Sequence, residues 1–312
     1  MRVAPRASYP ARVRRRVSAL ERREHWWFLA FISPWIVGFL AYFLYPVIAS
    51  LVLSFTRYNI VQPARWIGLD NYRTLLSDPV FWKSMQVTYE YAIVAIPLLM
   101  GAGLLLAVLL NVRVAGMRVI RTVFYLPSLI PQVSLALLFV WLLTPEFGLL
   151  NYALYMLLHV QGPDWLGDPR WTMPAVWLMS LWGVGSTMVL LLAGLQGVPK
   201  ELYEASAIDG AGPWRQFRAI TIPMISPVLF FLLITGVIGA LQTFTNIYVL
   251  TGGGPDYATE FYNLYLYQNA FLFHKMGYAS AQAWILFLMA IFWTVLLFRS
   301  AGRWVYYGGL NL

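Results

Sequence analysis

The sequence has no cysteine and few histidines, and this excludes several classes of functional site. Without cysteine, the chain has no disulfide framework, no thiolate metal site and no cysteine nucleophile. Its three histidines, His25, His159 and His274, are far apart along the chain. It also lacks a phosphate-binding G-x-x-x-x-G-K-[ST] run, an H-E-x-x-H metal motif and a G-x-S-x-G nucleophile motif. We therefore expect a chain that is not an enzyme and holds no cofactor of its own.

Charged residues are also scarce, while apolar residues dominate. Only 11% of the 312 residues are charged and 60% are hydrophobic, whereas a soluble domain carries about 25% charged residues. A membrane-spanning helix needs about 20 apolar residues, and about six segments meet that requirement. The composition therefore predicts an all-α integral membrane protein. The predicted spans cover about residues 28–55, 87–110, 119–143, 173–195, 224–250 and 281–298.

Basic residues predict how the chain is oriented. Arginines crowd residues 1–27, and most other Lys and Arg residues fall on the same side of the predicted spans. Since cytoplasmic loops are enriched in Lys and Arg, we expect both termini and the loop at 199–223 to be cytoplasmic. Residues 1–27 are predicted to be a disordered basic tail, and residues 308–312 a short C-terminal tail. The arginines either act only as a topology signal or also bind anionic lipid.

The longest polar interval late in the chain, residues 199–223, has the features of two short helices. Pro199 suits the start of a helix, and Glu201 falls in the first turn, where the helix dipole favours an anion. Gly210 suits a helix C-terminal cap. The pattern predicts a helix over 200–208, a tight turn, and a second helix over 214–220 that ends at Thr221 before the next apolar run begins.

The first of these helices is predicted to present a face to a partner. Leu202, Ala205, Ile208 and Ala211 recur at helical spacing and form a face rich in small side chains. Small side chains allow a partner's groove to come close, as when a helix docks into a groove. The alternative is an ordinary amphipathic loop at the membrane surface.

The same interval carries a family resemblance. Its runs Glu204-Ala205-Ser206 and Asp209-Gly210-Ala211, with Phe217 and Pro223 after them, resemble the EAA loop of permease subunits of binding-protein-dependent ABC importers of the carbohydrate-uptake class. The resemblance implies a type-I importer transmembrane domain over 28–307, in which 199–223 is the coupling helix that docks on an ATPase. The residues it implicates in coupling are Glu204, Ala205, Ser206, Ala207, Asp209, Gly210, Ala211, Phe217 and Pro223.

The resemblance also implies partners. It predicts a second, non-identical permease subunit that completes the pore, an ABC ATPase dimer that holds ATP and Mg, and an extracytoplasmic substrate-binding protein. The chain itself is expected to contact the lipid bilayer and no nucleic acid. The expected location is the bacterial cytoplasmic (inner) membrane, as a multi-pass protein.

Polar residues inside the last predicted spans are candidates for a substrate path. The spans hold no Asp, Glu, Lys or Arg near their centres, which favours a neutral polyhydroxyl ligand and argues against a proton relay. An alternative is that these polar groups bond to neighbouring helices and that the tryptophan only packs. The candidates are Gln242, Thr245, Asn246, Trp182, Ser186 and Tyr248.

These observations favour a permease subunit of an ATP-driven sugar importer that works by alternating access. A permease for glycerol-phosphate-type or other polyol ligands remains an alternative, because the permeases for such ligands are closely similar. A further alternative is an ion-coupled secondary transporter, which requires inverted repeats and ion-coupling charges within the spans. Neither feature is visible in the sequence.

Overall fold

The computed structural model describes residues 19–112 and 114–306, and this part of the chain is mainly helical, with two short strands. The chain divides into two units between Val52 and Leu53. In the described part, four helices are long and apolar enough to cross a membrane, and two bent helix pairs raise the number of candidate spans to six. The predicted all-α fold is confirmed.

The first unit is a long apolar helical run. Residues 26–54 form one candidate span, in which Phe39 stacks on Trp35 at 5.5 Å between ring centroids and on Phe43 at 5.2 Å. The prediction of a disordered tail up to residue 27 is wrong for its described part, because the helix already begins at Ala19; residues 1–18 lie outside the described residues. The elements are α1 (Ala19–Phe39), a π-helical segment (Leu40–Leu44) and α2 (Tyr45–Ser54).

A hairpin and a short helix connect this run to the second long span. Within the second unit, the side-chain amide of Asn71 donates to the backbone oxygens of Ser54 and Thr56, both at 2.8 Å. The elements are the antiparallel strands β1 (Thr56–Arg57) and β2 (Arg65–Trp66), and helix α3 (Asp70–Ser77).

Asp78 fixes the start of α4 (Pro79–Leu109), the longest helix of the described chain. Its Oδ1 caps the helix by accepting from the Val80 backbone N–H at 2.9 Å. Its Oδ2 accepts from the hydroxyls of Tyr265 and Tyr278, the latter at 2.7 Å. Partial burial raises the pKa of Asp78, but these hydrogen bonds outweigh that effect and hold the pKa below its ordinary value.

The predicted third and fourth spans are both bent. Helices α5 (Met117–Tyr125) and α6 (Gln132–Leu142) meet at 92° across a 3₁₀ turn (Leu126–Leu129). Pro127 and Pro131 explain the break, because proline lacks the amide hydrogen that a continuous helix requires. The other bent pair meets at 47°, and a short apolar helix precedes it. These elements are α7 (Leu149–Leu158), α8 (Pro169–Leu181) and α9 (Val184–Gln196).

The fifth span differs from its prediction at both ends. Residues 213–241 are helical without a break, so the predicted end of the second short helix at Thr221 is wrong. The π-helical turn just before Pro223 widens the helix, which accommodates a residue that cannot donate a backbone hydrogen bond. The elements are α10 (Lys200–Ile208), α11 (Pro213–Gln216), a π-helical segment (Phe217–Thr221) and α12 (Ile222–Leu241).

The span also ends earlier than predicted. Gln242 is the C-terminal cap of α12, and the residues up to Leu250 form the separate helix α13 (Thr245–Leu250) instead of continuing the span. The last span is longer than its prediction of 281–298. The remaining elements are α14 (Tyr262–Tyr267), a π-helical segment (Gln268–Leu272) and α15 (Met276–Trp304).

Two buried apolar clusters lie toward opposite ends of α4. One joins Val87 of α4 to side chains such as Phe139 and Ile247, and the other joins Ala107 of α4 to side chains such as Met188 and Ile225. Helix α4 therefore packs against α8, α9 and α12 along most of its length. The middle of α4, between the two clusters, borders a cavity.

Candidate functional site

The 199–223 interval contains α10, whose C-terminal turn requires glycine. The N–H of Gly210 donates to the Ala207 oxygen at 3.0 Å, and the N–H of Ala211 donates to the Ser206 oxygen at 2.9 Å. These two bonds form a Schellman motif, and Gly210 supplies its left-handed residue with a φ of 77°. A side chain at Gly210 would be strained whatever the space around it.

Side chains brace α10 against the helix that follows the turn. The Tyr203 hydroxyl lies 2.9 Å from Thr221 Oγ1. The Gln216 side-chain amide donates to the Tyr203 backbone oxygen at 3.2 Å and to Ser206 Oγ at 3.1 Å. The two arms of the interval therefore form one hydrogen-bonded unit. Sequence analysis missed Tyr203, Gln216 and Thr221, since their spacing carries no helical signal across the turn.

The predicted face of α10 lies open. Ile208 is 88% exposed, and Leu202 is also exposed. Trp214, just past the turn, is 74% exposed and stacks on Phe217 at 5.7 Å between ring centroids. Large exposed apolar side chains grouped in this way are typical of protein interaction sites. Of the other predicted coupling residues, Glu204, Ala205, Ala207 and Asp209 are exposed, Ser206 and Ala211 are half-buried, and Pro223 lies within α12.

Three of the predicted substrate-path residues meet in one cavity. The cavity of about 520 Å³ lies beside the middle of α4 and the C-terminal half of α12, and Gln242, Thr245 and Asn246 line it. These three residues fall where α12 ends and α13 begins. The break in the span therefore places polar side chains and free backbone groups against the cavity, as broken helices do in other transporters.

Asn246 offers an unused acceptor. Its side-chain Oδ1 is buried and has no hydrogen-bond partner among the described residues. The Gln242 side chain is exposed, and its backbone oxygen accepts from the Asn263 side-chain amide at 3.1 Å. Since buried polar atoms are nearly always paired, Asn246 Oδ1 is suited to receive a hydroxyl donor from a ligand or water.

The other three predicted residues lie outside this lining. Trp182 packs edge-to-face against Phe139 at 5.7 Å. Tyr248 stacks on Phe244 at 5.5 Å, and Ser186 is exposed on α9. Trp182 therefore has a ring contact and is also 37% exposed.

Sequence analysis missed several polar groups on the cavity wall. Gln132, Ser180 and Thr187 line the cavity, and their polar side chains within predicted spans were a signal that could have identified them. The cavity wall also includes Tyr91 and Thr243. The lining contains no Asp, Glu, Lys or Arg among the described residues. The cavity therefore combines hydroxyl and amide groups with apolar wall, which suits a neutral, hydroxyl-rich molecule.

Comparisons with known proteins agree on one family. Residues 99–305 match the family described as binding-protein-dependent transport system inner membrane component. The chain is 39% identical over 282 residues to the probable ABC transporter permease protein YesP of Bacillus subtilis (strain 168), covering 89% of this chain and 91% of that protein.

A second relative and a solved structure extend the match. The trehalose/maltose transport system permease protein MalF of Thermococcus litoralis is 34% identical over 92% of this chain and 97% of its own length. A chain in the crystal structure of a bacterial alginate ABC transporter, in complex with an alginate pentasaccharide-bound periplasmic protein, has a TM-score of 0.80 at 23% identity. That alignment covers 91% of this chain and 96% of the other, so the two share a fold.

Proposed function

Because the chain belongs to the family of binding-protein-dependent transport system inner membrane components and is a sugar permease subunit of an ABC transporter, we propose that it forms half of a translocation pore. In this proposal, residues 199–223 dock on a partner ATPase. The chain hydrolyses nothing, and ATP and Mg are held by the ATPase. A second, non-identical permease subunit supplies the other half of the pore.

The exposed apolar face of α10 is the observation that carries the coupling proposal. Ile208, 88% exposed, lies in the same short segment as the exposed side chains of Leu202 and Trp214, and exposed apolar side chains grouped in this way are typical of protein interaction sites. The adjacent carboxylates of Glu204 and Asp209 are exposed and available to basic groups of that partner. A helix that offers an apolar stripe with polar flanks fits a groove.

The bracing between α10 and α12 supports a route for the motion. Tyr203 of α10 contacts Thr221, which leads directly into α12. The far end of α12 carries Gln242 at the cavity. A displacement of α10 by a closing ATPase is therefore passed along a continuous helix to the cavity, which is the requirement for ATP-driven alternating access.

The cavity lining favours a sugar or another neutral polyol as substrate. Hydroxyl groups of a sugar match the amide and hydroxyl side chains of the lining, and Asn246 Oδ1 is a buried acceptor that no described residue satisfies. A glycerol-phosphate-type ligand calls for a cation, and ion-coupled transport calls for charged groups; the described lining has neither. The family description supports delivery of the ligand by a binding protein and a place in the inner membrane.

The coupling proposal is tested by capturing the ATPase with a full-length Ile208→Asp variant. A carboxylate in the centre of an apolar contact must be desolvated without a partner, so we expect ATPase capture and ATP-driven sugar uptake to fall at least tenfold. Because Ile208 is so exposed, insertion and thermal stability should stay unchanged.

The matched control is Val61→Asp. Val61 is 87% exposed, so the chemical change and the exposure are the same, but the residue lies in the hairpin near the start of α4, away from α10. We expect this variant to capture the ATPase normally. Normal capture by Ile208→Asp, or equal loss in both variants, would contradict docking through α10.

A further inference from the structure

A second large cavity lies at the same end of the molecule as α10. It has a volume of about 1010 Å³ and is bordered by the loop between α4 and α5, the start of α5 and the α9–α10 junction. Its basic side chains are Arg118, Arg121 and Lys200, and no Asp or Glu lines it among the described residues. It is therefore a concave site of a single charge sign.

The three cations differ in how free they are. Arg121 is held in place, since its Nε and Nη2 donate to the Leu110 oxygen at 3.1 and 2.7 Å. Those bonds cap the C-terminal end of α4. Arg118 and Lys200 are exposed, and in the described part of the chain neither takes part in an ion pair. Two free cations thus flank a third that the fold has positioned.

Apolar side chains continue from this cavity along the membrane-spanning part of the chain. Val119 lines the cavity and is 67% exposed. Val123 and Leu126 follow at helical spacing on α5 and the 3₁₀ turn, and both are also more than half exposed. The cavity is positively charged, and an apolar stripe extends from it along α5. These two features are complementary to an amphiphile with an anionic headgroup and apolar chains.

We propose that this cavity binds the headgroup of an anionic phospholipid, with Arg118 and Lys200 contacting the phosphate and the acyl chains lying along Val119, Val123 and Leu126. Basic cavities between transmembrane helices recognise such headgroups. A free phosphate ion would use the cations but not the apolar stripe, and an acidic protein surface would likewise leave the stripe uncovered.

The test uses native mass spectrometry on the full-length chain in detergent, titrated with phosphatidylglycerol and with phosphatidylcholine of the same acyl chains. We expect tighter binding of phosphatidylglycerol. Each basic residue near an anionic headgroup contributes about a fivefold gain in affinity, so Arg118→Gln with Lys200→Gln should weaken phosphatidylglycerol binding roughly 30-fold. Binding of phosphatidylcholine should not change, which also reports that the variant is folded.

The control removes two cations at the same end of the molecule but outside the cavity. Arg299 and Arg303 are exposed near the end of α15, and the backbone N–H of Tyr306 just beyond donates to Ser226 Oγ, close to the start of α12, at 2.8 Å. Arg299→Gln with Arg303→Gln should keep phosphatidylglycerol affinity within twofold. Equal losses in the two double variants would overturn the site, since they would show only a general effect of charge.

Two further outcomes would also overturn the proposal. Displacement of the lipid by inorganic phosphate alone would indicate a free-anion site. Absence of lipid selectivity, together with loss of ATPase capture by the single variant Arg118→Gln, which lies outside residues 199–223, would indicate that the cavity contacts the ATPase. Retention of the lipid by the parent chain in excess phosphate, with ATPase capture intact in Arg118→Gln, supports the proposal.

Discussion

At the scale of single residues, Glu260 is a carboxyl group in an unusual place. It is 2% exposed and lies against the glycine turn at Gly253. One oxygen accepts from the Gln268 side-chain amide at 3.3 Å, and the other has no partner among the described residues. Burial raises the pKa of Glu260 to about 7, although the bond from Gln268 offsets part of that effect.

This pKa predicts how stability changes with pH. The folded chain keeps its proton on Glu260 up to about pH 7, whereas the unfolded chain loses it near the ordinary value of 4.5. The unfolded state therefore binds fewer protons between these values, and stability falls as pH rises through the window. Glu260→Gln should remove the pH-dependent loss of stability that this carboxyl group causes. The variant should therefore have a higher melting temperature than the parent at pH 8 but not at pH 4.

The measurement is a pair of thermal melts of the detergent-solubilised chain across this pH range. Each kcal/mol gained in the free energy of unfolding raises the melting temperature by roughly 2–4 °C for a protein of this size. Glu146→Gln, which removes an exposed carboxylate, is the control and should follow the parent. A parallel pH profile for the Glu260 variant and the parent would show that the buried carboxyl does not titrate in this window.

At the scale of elements, Gly185 sets how closely α9 approaches the end of α5. A Cβ on Gly185 would meet the Phe124 backbone oxygen and would come within 2.8 Å of Tyr125 Cα. Both are backbone atoms, which cannot rotate away as a side chain can. The contact therefore depends on the absence of a side chain, as close helix packing in membranes often does.

Gly185→Ala should accordingly destabilise the chain by about 1–3 kcal/mol, the usual range for overpacking. The matched control is Gly101→Ala on α4, where a Cβ meets nothing within 4 Å. Replacing a helical glycine by alanine in open space is expected to be neutral or to stabilise by about 0.5–1 kcal/mol. Melting temperatures of the two variants test the difference, and equal shifts would argue against the close approach.

At the scale of the whole molecule, the absence of cysteine allows a single engineered thiol to report on alternating access without background labelling. A single engineered Gln242→Cys would be the only thiol in the chain, placed at an exposed position on the cavity. We expect a membrane-impermeant thiol reagent to label it from one side of the membrane, and ATP trapping of the assembled importer to change the labelling rate at least severalfold.

Leu241→Cys is the control for that experiment. Leu241 is the preceding residue but is 2% exposed, so its thiol should label slowly in every state. Sugar in excess should protect the thiol at position 242 and leave the other unchanged. A labelling rate at position 242 that neither ATP nor sugar alters would exclude the cavity from the transport cycle.

Parts of the fold and the candidate site were readable from the sequence for identifiable reasons. Long apolar runs predict spans because a bilayer demands about 20 apolar residues, and Gly210 predicts a helix end because few residues tolerate its backbone angles. The break between α12 and α13 was not readable. The end of α12 at Leu241 lies inside the predicted span 224–250, where polar residues such as Gln242 are as compatible with a cavity-facing helix as with a helix end.

The sequence by itself determined that this is a helical membrane protein with a polar, two-armed segment late in the chain, since apolar length and cap chemistry are local properties. Only the tertiary structure decided that Gln242, Thr245 and Asn246 share a cavity while Trp182 packs against Phe139. It also decided that Tyr203 and Thr221 join the two arms. These are contacts between residues distant along the chain or separated by a bend, and helical periodicity does not determine such contacts.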